Sequence, residues 1–220
     1  MNTEETILQL TENYVKDQLS KDSSGHDWQH TQRVRKLALQ IADRENADLF
    51  LVELAALLHD LGDYKLHQGD GSVAPRMISC WLNGLGLEDS LVLKVLDIVD
   101  GLSFSKSLNR TGDELNQLSI ETKVVCDADR LDAIGAIGIA RTFAFGGHFQ
   151  REMHNPNIPP RTNLNTDAYR NKENSTTVNH FYEKLLLLKD KMYTTTGKEI
   201  AKERHEFMEL FLERFLEEWG

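Results

Sequence analysis

Apolar residues recur along most of this chain at intervals of three and four, the spacing of one face of an α-helix. The pattern predicts a first helix through Ile7, Leu8, Leu10, Tyr14, Val15 and Leu19 and a second through Val34, Leu37, Ala38 and Ile41. A third helix is predicted through Leu51, Leu54, Ala55 and Leu58. Gly62 is the predicted C-terminal stop of this third helix. Further helices are predicted over about 73–85, 88–100, 117–131, 133–145, 176–193 and 197–218. Because period-two alternation is almost absent, we predict an all-α fold.

One stretch departs from helical order. Residues 146–175 hold three of the four prolines and many Asn and Thr residues, so we predict a long flexible loop there. Its basic residues could close over an anionic substrate, or the loop could be disordered; they are Arg151, Arg161, Arg170 and Lys172. The remainder predicts one domain over 1–220, which ends in a helical pair over 176–218.

The last helix carries an apolar stripe, formed by Ile200, Phe207, Met208, Phe211 and Phe215. This spacing predicts either a core face or a contact between subunits. The chain is therefore expected to be a monomer or a homodimer.

Composition narrows the classes of function. The formal net charge of −10 opposes sequence-specific or non-specific nucleic-acid binding, but it allows a small anionic substrate in a locally positive cleft. No stretch reaches the roughly twenty apolar residues that span a bilayer, and the N-terminus is acidic. We therefore expect no membrane contact and a cytoplasmic location. Cys80 and Cys126 stand in apolar surroundings and are predicted to be reduced core residues.

Three segments carry residues of the kind that bind metals. They are HDWQHTQRV with His26, Asp27 and His30, HDLGD with His59, Asp60 and Asp63, and CDADRLDAIG with Asp127, Asp129 and Asp132. Mixed imidazole and carboxylate ligands suit divalent Mn, Fe, Co, Ni or Zn, and two His with two Asp would leave positions for water and substrate. The doublet His59-Asp60 directly follows an apolar run, where it is costly unless an ion or solvent satisfies it.

The order of these pieces resembles the HD-domain metal-dependent phosphohydrolases. The matching motifs are HTQRV from His30, the His59-Asp60 doublet, and ADRL around Asp129. Longer segments, up to the tail HFYEKLLLLKDKMYTTTGKEIAKERHEFM, look like a bacterial-type subgroup that contains small nucleotide pyrophosphohydrolases, and the likeness covers roughly 5–218. The resemblance implies a single-domain HD helical bundle. It also implies one divalent ion held by His30, His59, Asp60 and Asp129, with Mn favoured, then Mg, Co, Ni, Fe or Zn.

The resemblance also suggests roles around the ion. Asp63 would be the catalytic general base, or else a residue that caps the end of the third helix. Substrate contacts are expected among His26, Asp27, Arg33, His180 and Lys184. Asp27 suits a helix N-cap equally well, and Lys184 could simply be solvated. Asp127 and Asp132 could bond a neighbouring ligand or pair with Arg130.

The function that follows is hydrolysis of a phosphoester or phosphoanhydride by metal-activated water. The expected partner is a small phosphorylated substrate, most naturally a nucleotide. One alternative is a non-catalytic sensor of metal or nucleotide. Another is an HD-fold oxygenase, although only His67 lies between the doublet and Asp129, which argues for one metal ion.

Overall fold

The computed structural model describes residues 3–19, 27–62, 71–102, 117–161 and 175–220, and every regular element in these ranges is a helix. The elements are α1 (Thr3–Leu19), α2 (Trp28–Glu45), α3 (Leu49–Leu58), α4 (Val73–Gly84), α5 (Asp89–Gly101), α6 (Ile120–Asp132), α7 (Gly135–His148), α8 (Thr177–Glu183), a 3₁₀ helix (Leu185–Lys191) and α9 (Thr195–Trp219). The all-α prediction is confirmed. Contacts divide the chain into two compact units, Met1–Ala128 and Asp129–Gly220. The single domain over 1–220 stays a prediction.

Helix α3 forms the centre of the first unit. Glu53 is the one charged residue among its ten. Because a helix that is apolar on nearly all sides is stable only when other elements surround it, α3 is expected at the centre of the packing. Helices α1, α2 and α5 all pack against α3. The residues that this packing buries are Leu51, Val52, Leu54, Ala55, Ala56, Leu57 and Leu58. The His59-Asp60 doublet therefore directly follows this buried helix, and Leu61 after it is also buried.

Polar contacts tie the surrounding helices together. The Arg35 guanidinium donates from Nε to Glu53 Oε1 at 2.7 Å and from Nη1 to Glu12 Oε2 at 2.8 Å, which joins α1, α2 and α3. Trp81 on α4 donates from its indole nitrogen to Thr11 Oγ1 at 3.0 Å and stacks on Tyr14, with the ring centroids 4.0 Å apart. The apolar core is thus supplemented by bonds that fix the order of the helices.

In the second unit α9 packs on α7 and on the 3₁₀ helix. Its buried positions are Thr196, Gly197, Ala201, His205, Met208 and Leu212. Of the two alternatives predicted for the apolar stripe, the core position is therefore wrong at Phe207, which is 48% exposed. Phe211 does pack, 6.1 Å from Phe181 and 5.8 Å from Phe143 between ring centroids. A subunit contact at Phe207 stays a prediction.

The single helix predicted over 176–193 is also wrong. Helix α8 ends at Glu183, Lys184 adopts φ −143° and ψ −58°, and a 3₁₀ helix follows. Leu185 and Leu188 are both buried, three residues apart. A 3₁₀ helix has three residues per turn and so places both on one face, which accounts for the tighter winding.

The predicted loop is shorter than expected at its start, because α7 continues to His148. Residues 152–161 lie along α8: the amides of Thr177 and Val178 donate to the Glu152 and Met153 carbonyls, both at 2.9 Å. At the end of this stretch, the Arg161 side chain donates to both carboxylate oxygens of Glu183. Residues 162–174 lie outside the described residues, so the predicted flexibility stays untested.

Two smaller predictions have clear outcomes. Cys126 is buried, as predicted, whereas Cys80 is exposed on α4, so the prediction of a core position for Cys80 is wrong. Neither cysteine forms a disulfide. Among the described helices, none has both the length and the hydropathy required to cross a membrane.

Candidate metal centre

The first site residue is placed by the start of α2. Asp27 is the N-cap of this helix, with extended backbone, and its Oδ1 accepts the His30 amide at 2.8 Å. Carboxylates suit this position because the first amides of a helix have no partner within it. The alternative that Asp27 caps the helix is confirmed. The cap fixes the first turn, and the His30 side chain, 1% exposed, projects from that turn into the unit.

The end of α3 places the other two residues. Helix α3 ends at Leu58, and His59 folds back so that its Nδ1 lies 2.8 Å from the Ala56 carbonyl oxygen. A carbonyl can only accept, so Nδ1 carries a proton that it donates, and Nε2 of the neutral ring presents a lone pair. The sequence reasoning missed Ala56. Its signal was position, since the last carbonyls of a helix lack partners within the helix.

Three donor atoms converge here from the two helices. His30 Nε2 lies 3.2 Å from His59 Nε2 and 3.2 Å from Asp60 Oδ2, and His59 Nε2 lies 3.3 Å from the same carboxylate oxygen. Both imidazoles are buried, and the Asp60 side chain is 12% exposed. In the described part of the chain, these three residues form the group whose geometry suits a metal ion.

The triangle fits a divalent cation. A shared proton could bridge one pair of these atoms, whereas a cation satisfies two lone pairs and a carboxylate at once. Atoms at this mutual spacing can all lie about 2.0–2.3 Å from one ion, the usual length of bonds from divalent metals to nitrogen and oxygen. Donors of this mixed kind favour first-row transition ions.

Asp129, the predicted fourth ligand, belongs to the second unit. It is half-buried on α6, between Asp127, fully buried, and Asp132, 1% exposed. Asp132 pairs with Arg141 at 2.6 Å, and the Arg130 guanidinium donates to the Lys191 carbonyl and to the Tyr193 hydroxyl. These contacts explain why Asp132 and Arg130 tolerate burial. The role of Asp129 as a ligand stays a prediction.

The predicted catalytic base and one substrate contact, Asp63 and His26, lie outside the described residues. Gly62 just before Asp63 has φ +72°, so no helical turn continues through Gly62. Arg33 is half-buried on α2, one turn after His30. His180 and Lys184 are half-buried, on α8 and at the break that follows it.

The basic residues proposed for a lid have other contacts where the structure describes them. Arg161 donates from its amide and Nε to Glu183 Oε1, each at 3.0 Å, and from Nη2 to Oε2 at 2.7 Å. The Arg151 guanidinium lies 5.9 Å from the Phe145 ring centroid. Arg161 therefore supports the local fold, which is a correction to its predicted place in a lid. Arg170 and Lys172 lie outside the described residues.

Every regular element that the structure describes is a helix, a His-Asp doublet follows a buried helix, and a second histidine comes from the preceding helix. This is the architecture of an HD domain. The HD domain family matches residues 27–134, a range that includes His30, His59, Asp60 and Asp129. The chain belongs to this family.

Several proteins are similar to this chain over almost its full length. The uncharacterized protein YpgQ of Bacillus subtilis is 42% identical over 200 residues, which are 90% of this chain and 87% of YpgQ. A crystal structure from Lactobacillus plantarum superposes with a TM-score of 0.82 and 39% identity over 98% of this chain and 97% of the other. An HD-superfamily hydrolase from Bacillus thuringiensis superposes with a TM-score of 0.76 and 41% identity, over 98% of both chains.

YpgQ itself has been solved in complex with ADP. That structure superposes with a TM-score of 0.75 and 35% identity, over 98% of this chain and 96% of YpgQ.

Proposed function

We propose that this protein is a divalent-metal-dependent phosphohydrolase that cleaves a phosphoester or phosphoanhydride of a nucleotide. The observation that carries the proposal is the convergence of His30, His59 and Asp60 on one point, with their donor atoms 3.2–3.3 Å apart. Membership of the HD family supports hydrolysis, because a solved relative is described as an HD-superfamily hydrolase. The ADP complex of YpgQ supports a nucleotide as the ligand class.

In this proposal His30, His59, Asp60 and Asp129 hold one divalent ion, with manganese the first candidate. A bound ion would polarise a phosphoryl oxygen and lower the pKa of a coordinated water. Open positions are expected, because the ligand set is smaller than six.

The chain's own residues have separate roles. The Ala56 carbonyl keeps the His59 ring in the tautomer whose Nε2 is free to bind, and the Asp27 cap orients the turn that carries His30. Asp63 is proposed to accept a proton from the attacking water. Cationic groups at Arg33 and Lys184, with His26 and His180, are proposed to offset charge on the phosphate. Asp27 is assigned to capping rather than to substrate.

The test is turnover by protein stripped of metal and then supplied singly with Mn, Mg, Co, Ni, Fe or Zn. The substrates are nucleoside mono-, di- and triphosphates, ADP included, and released phosphate and pyrophosphate are measured separately. We expect metal-dependent release that Asp60→Asn reduces at least about a thousandfold, since an essential ligand and charge are lost. The released product identifies the bond that is cut.

A matched control is available on the same helix. Asp48 is the N-cap of α3 and accepts the Leu51 amide at 3.0 Å. Asn caps as well as Asp does, so Asp48→Asn removes one charge and keeps the fold. We expect Asp48→Asn to retain nearly full activity. Absence of turnover with every metal and nucleotide, despite tight metal binding, would exclude the hydrolase and favour the sensor.

A further inference from the structure

An open groove lies between the 3₁₀ helix and the first two turns of α9. Its volume, with the open mouth included, is about 600 Å³, and its lining residues are Lys189, Asp190, Lys198 and Lys202. Lys198 and Lys202 stand four residues apart on α9, so both project from the same side of this helix. Three ammonium groups and one carboxylate therefore face a single space.

The local excess of positive charge in the groove is opposite in sign to the net charge of the chain. The protein as a whole carries a formal net charge of −10, so carboxylates are abundant as partners. Lys202 nevertheless has only a 4.0 Å contact with the exposed carboxylate of Glu206. Lys189 and Lys198 have no ion pair with any residue that the structure describes. Like charges four apart on a helix repel each other, and an anion in the groove would remove that cost.

A buried histidine holds one of the three lysines in place. Nε2 of His205, 5% exposed, lies 3.0 Å from Lys189 Nζ. An ammonium group can only donate, so Nε2 is the acceptor in this contact. Oε1 of Glu209 also lies 3.2 Å from His205 Nε2, and the Glu209 side chain is 59% exposed. Nδ1 of His205 is buried without a hydrogen-bond partner among the described residues, so the imidazole's contacts with described residues are at Nε2.

We propose that this groove binds a compact phosphate-bearing anion with two or more negative charges. Lysines recognise phosphate as point charges, and the three lysines of the groove outnumber its one carboxylate by two, which matches an anion with at least two negative charges. A diphosphate group is the best match, because it carries at least two negative charges in a compact group. The inference is independent of hydrolysis at the HD motif.

The test is calorimetric titration of metal-stripped, full-length protein with inorganic pyrophosphate at low ionic strength. We expect saturable binding to one site, weakened about tenfold or more in the double variant K198Q/K202Q, because two of three facing charges are gone. Both side chains are exposed, so the variant is expected to fold, and circular dichroism checks this. The single variants K198Q and K202Q should bind pyrophosphate with affinities between those of the wild type and the double variant.

The control is K16Q/K94Q, which removes two exposed lysines from α1 and α5 and changes the net charge by the same amount. This variant should bind pyrophosphate within about twofold of the wild type, since neither lysine lines the groove. Equal weakening in both double variants would overturn the proposal, because the effect would then be general charge. So would the absence of saturable binding to the wild type. No turnover is measured, so a failed hydrolase assay leaves this result intact.

Discussion

At the scale of single residues, two glycines of α7 show how local space decides what a position tolerates. A Cβ on Gly138 would stand 2.2 Å from the Ala133 carbonyl oxygen, far inside contact distance. A Cβ on Gly147 would meet nothing within 4 Å. The same helix therefore holds one glycine required by packing and one that packing does not require.

The first prediction compares these two positions. Gly138→Ala should lower the free energy of unfolding by about 1–3 kcal/mol, because the backbone must shift to relieve the overlap. Gly147→Ala should raise it by about 0.4–1 kcal/mol, since alanine loses less chain entropy in a helix. Urea denaturation of both variants measures the difference. Changes of the same sign would contradict the structure of α7.

The convergence of the candidate metal ligands His30, His59 and Asp60 was predictable at this scale, because these residue types have few uses together beside an apolar run. The acceptor for His59 was not predicted, because the Ala56 carbonyl has no side-chain signature. Pairing of Asp132 with Arg141 was also missed. The two residues are nine positions apart across the turn between α6 and α7. Helical periodicity relates residues within one helix and so gives no sign of this contact.

At the scale of elements, α2 depends on its first turn. Asp27 supplies the only side-chain cap that the structure describes for this helix, and the capped turn carries His30. A helix end therefore contributes both to stability and to the geometry of the candidate site.

The second prediction separates these contributions. Asp27→Ala should cost about 0.5–2 kcal/mol of unfolding free energy, whereas Asp27→Asn should cost little, because an amide oxygen caps as well. Thermal or urea unfolding gives the comparison. If Asp27→Asn keeps its stability but loses nucleotide turnover, the assignment of Asp27 to capping alone is wrong and a substrate contact is required.

The third prediction concerns the contact between Glu183 of α8 and Arg161. Burial alone would raise the pKa of the Glu183 carboxyl, but hydrogen bonds and charge from Arg161 outweigh burial and lower this pKa below its ordinary value. The ionised form is thus favoured in the folded state. Its stabilisation is complete above the unfolded glutamate pKa of about 4.3, and it is lost as pH falls through the lower folded value.

Glu183→Gln should therefore flatten the fall in stability below pH of about 4.3 relative to the wild type. Unfolding measured over a range of acidic pH tests this, with Glu213→Gln, exposed on α9, as the control. An unchanged acid slope in Glu183→Gln would contradict the pairing with Arg161.

The presence of most helices was predictable, because apolar residues that repeat at helical spacing over a long stretch rarely have another cause. The break at Lys184 was not predictable, because HFYEKLLLL has no proline or glycine and its leucines satisfy either winding. Three-residue spacing of Leu185 and Leu188 became decisive only once their burial was known. Likewise Phe207 and Met208 both fitted the predicted helical stripe, and the packing of α9 buries Met208 but leaves Phe207 exposed.

At the scale of the whole molecule, a bound ion should be visible as stability. Two of the proposed ligands follow directly from α3, around which the first unit packs, and a ligand that binds only the folded state raises its stability by mass action. The candidate metal centre and the core of this unit are thus one structure.

The fourth prediction is that manganese at about a hundred times its dissociation constant stabilises the protein by about 2.7 kcal/mol, and that chelation reverses the effect. Asp60→Asn should abolish most of this gain, and Asp48→Asn should retain it. Differential scanning calorimetry with and without chelator provides the measurement. An equal gain in both variants would place the ion elsewhere in the molecule.

The contacts of Glu183 also bear on how this chain can vary in length. Arg161 and Ser175 both bond the same carboxylate, the latter at 3.2 Å, so the two ends of the intervening segment are joined by the folded unit itself. The sequence predicts a flexible loop for this segment, and doubling the length of such a loop costs only about 0.6 kcal/mol of chain entropy. Insertions between these two anchors should therefore be tolerated, which makes this the natural place for related chains to differ in length or for a reporter sequence to be added.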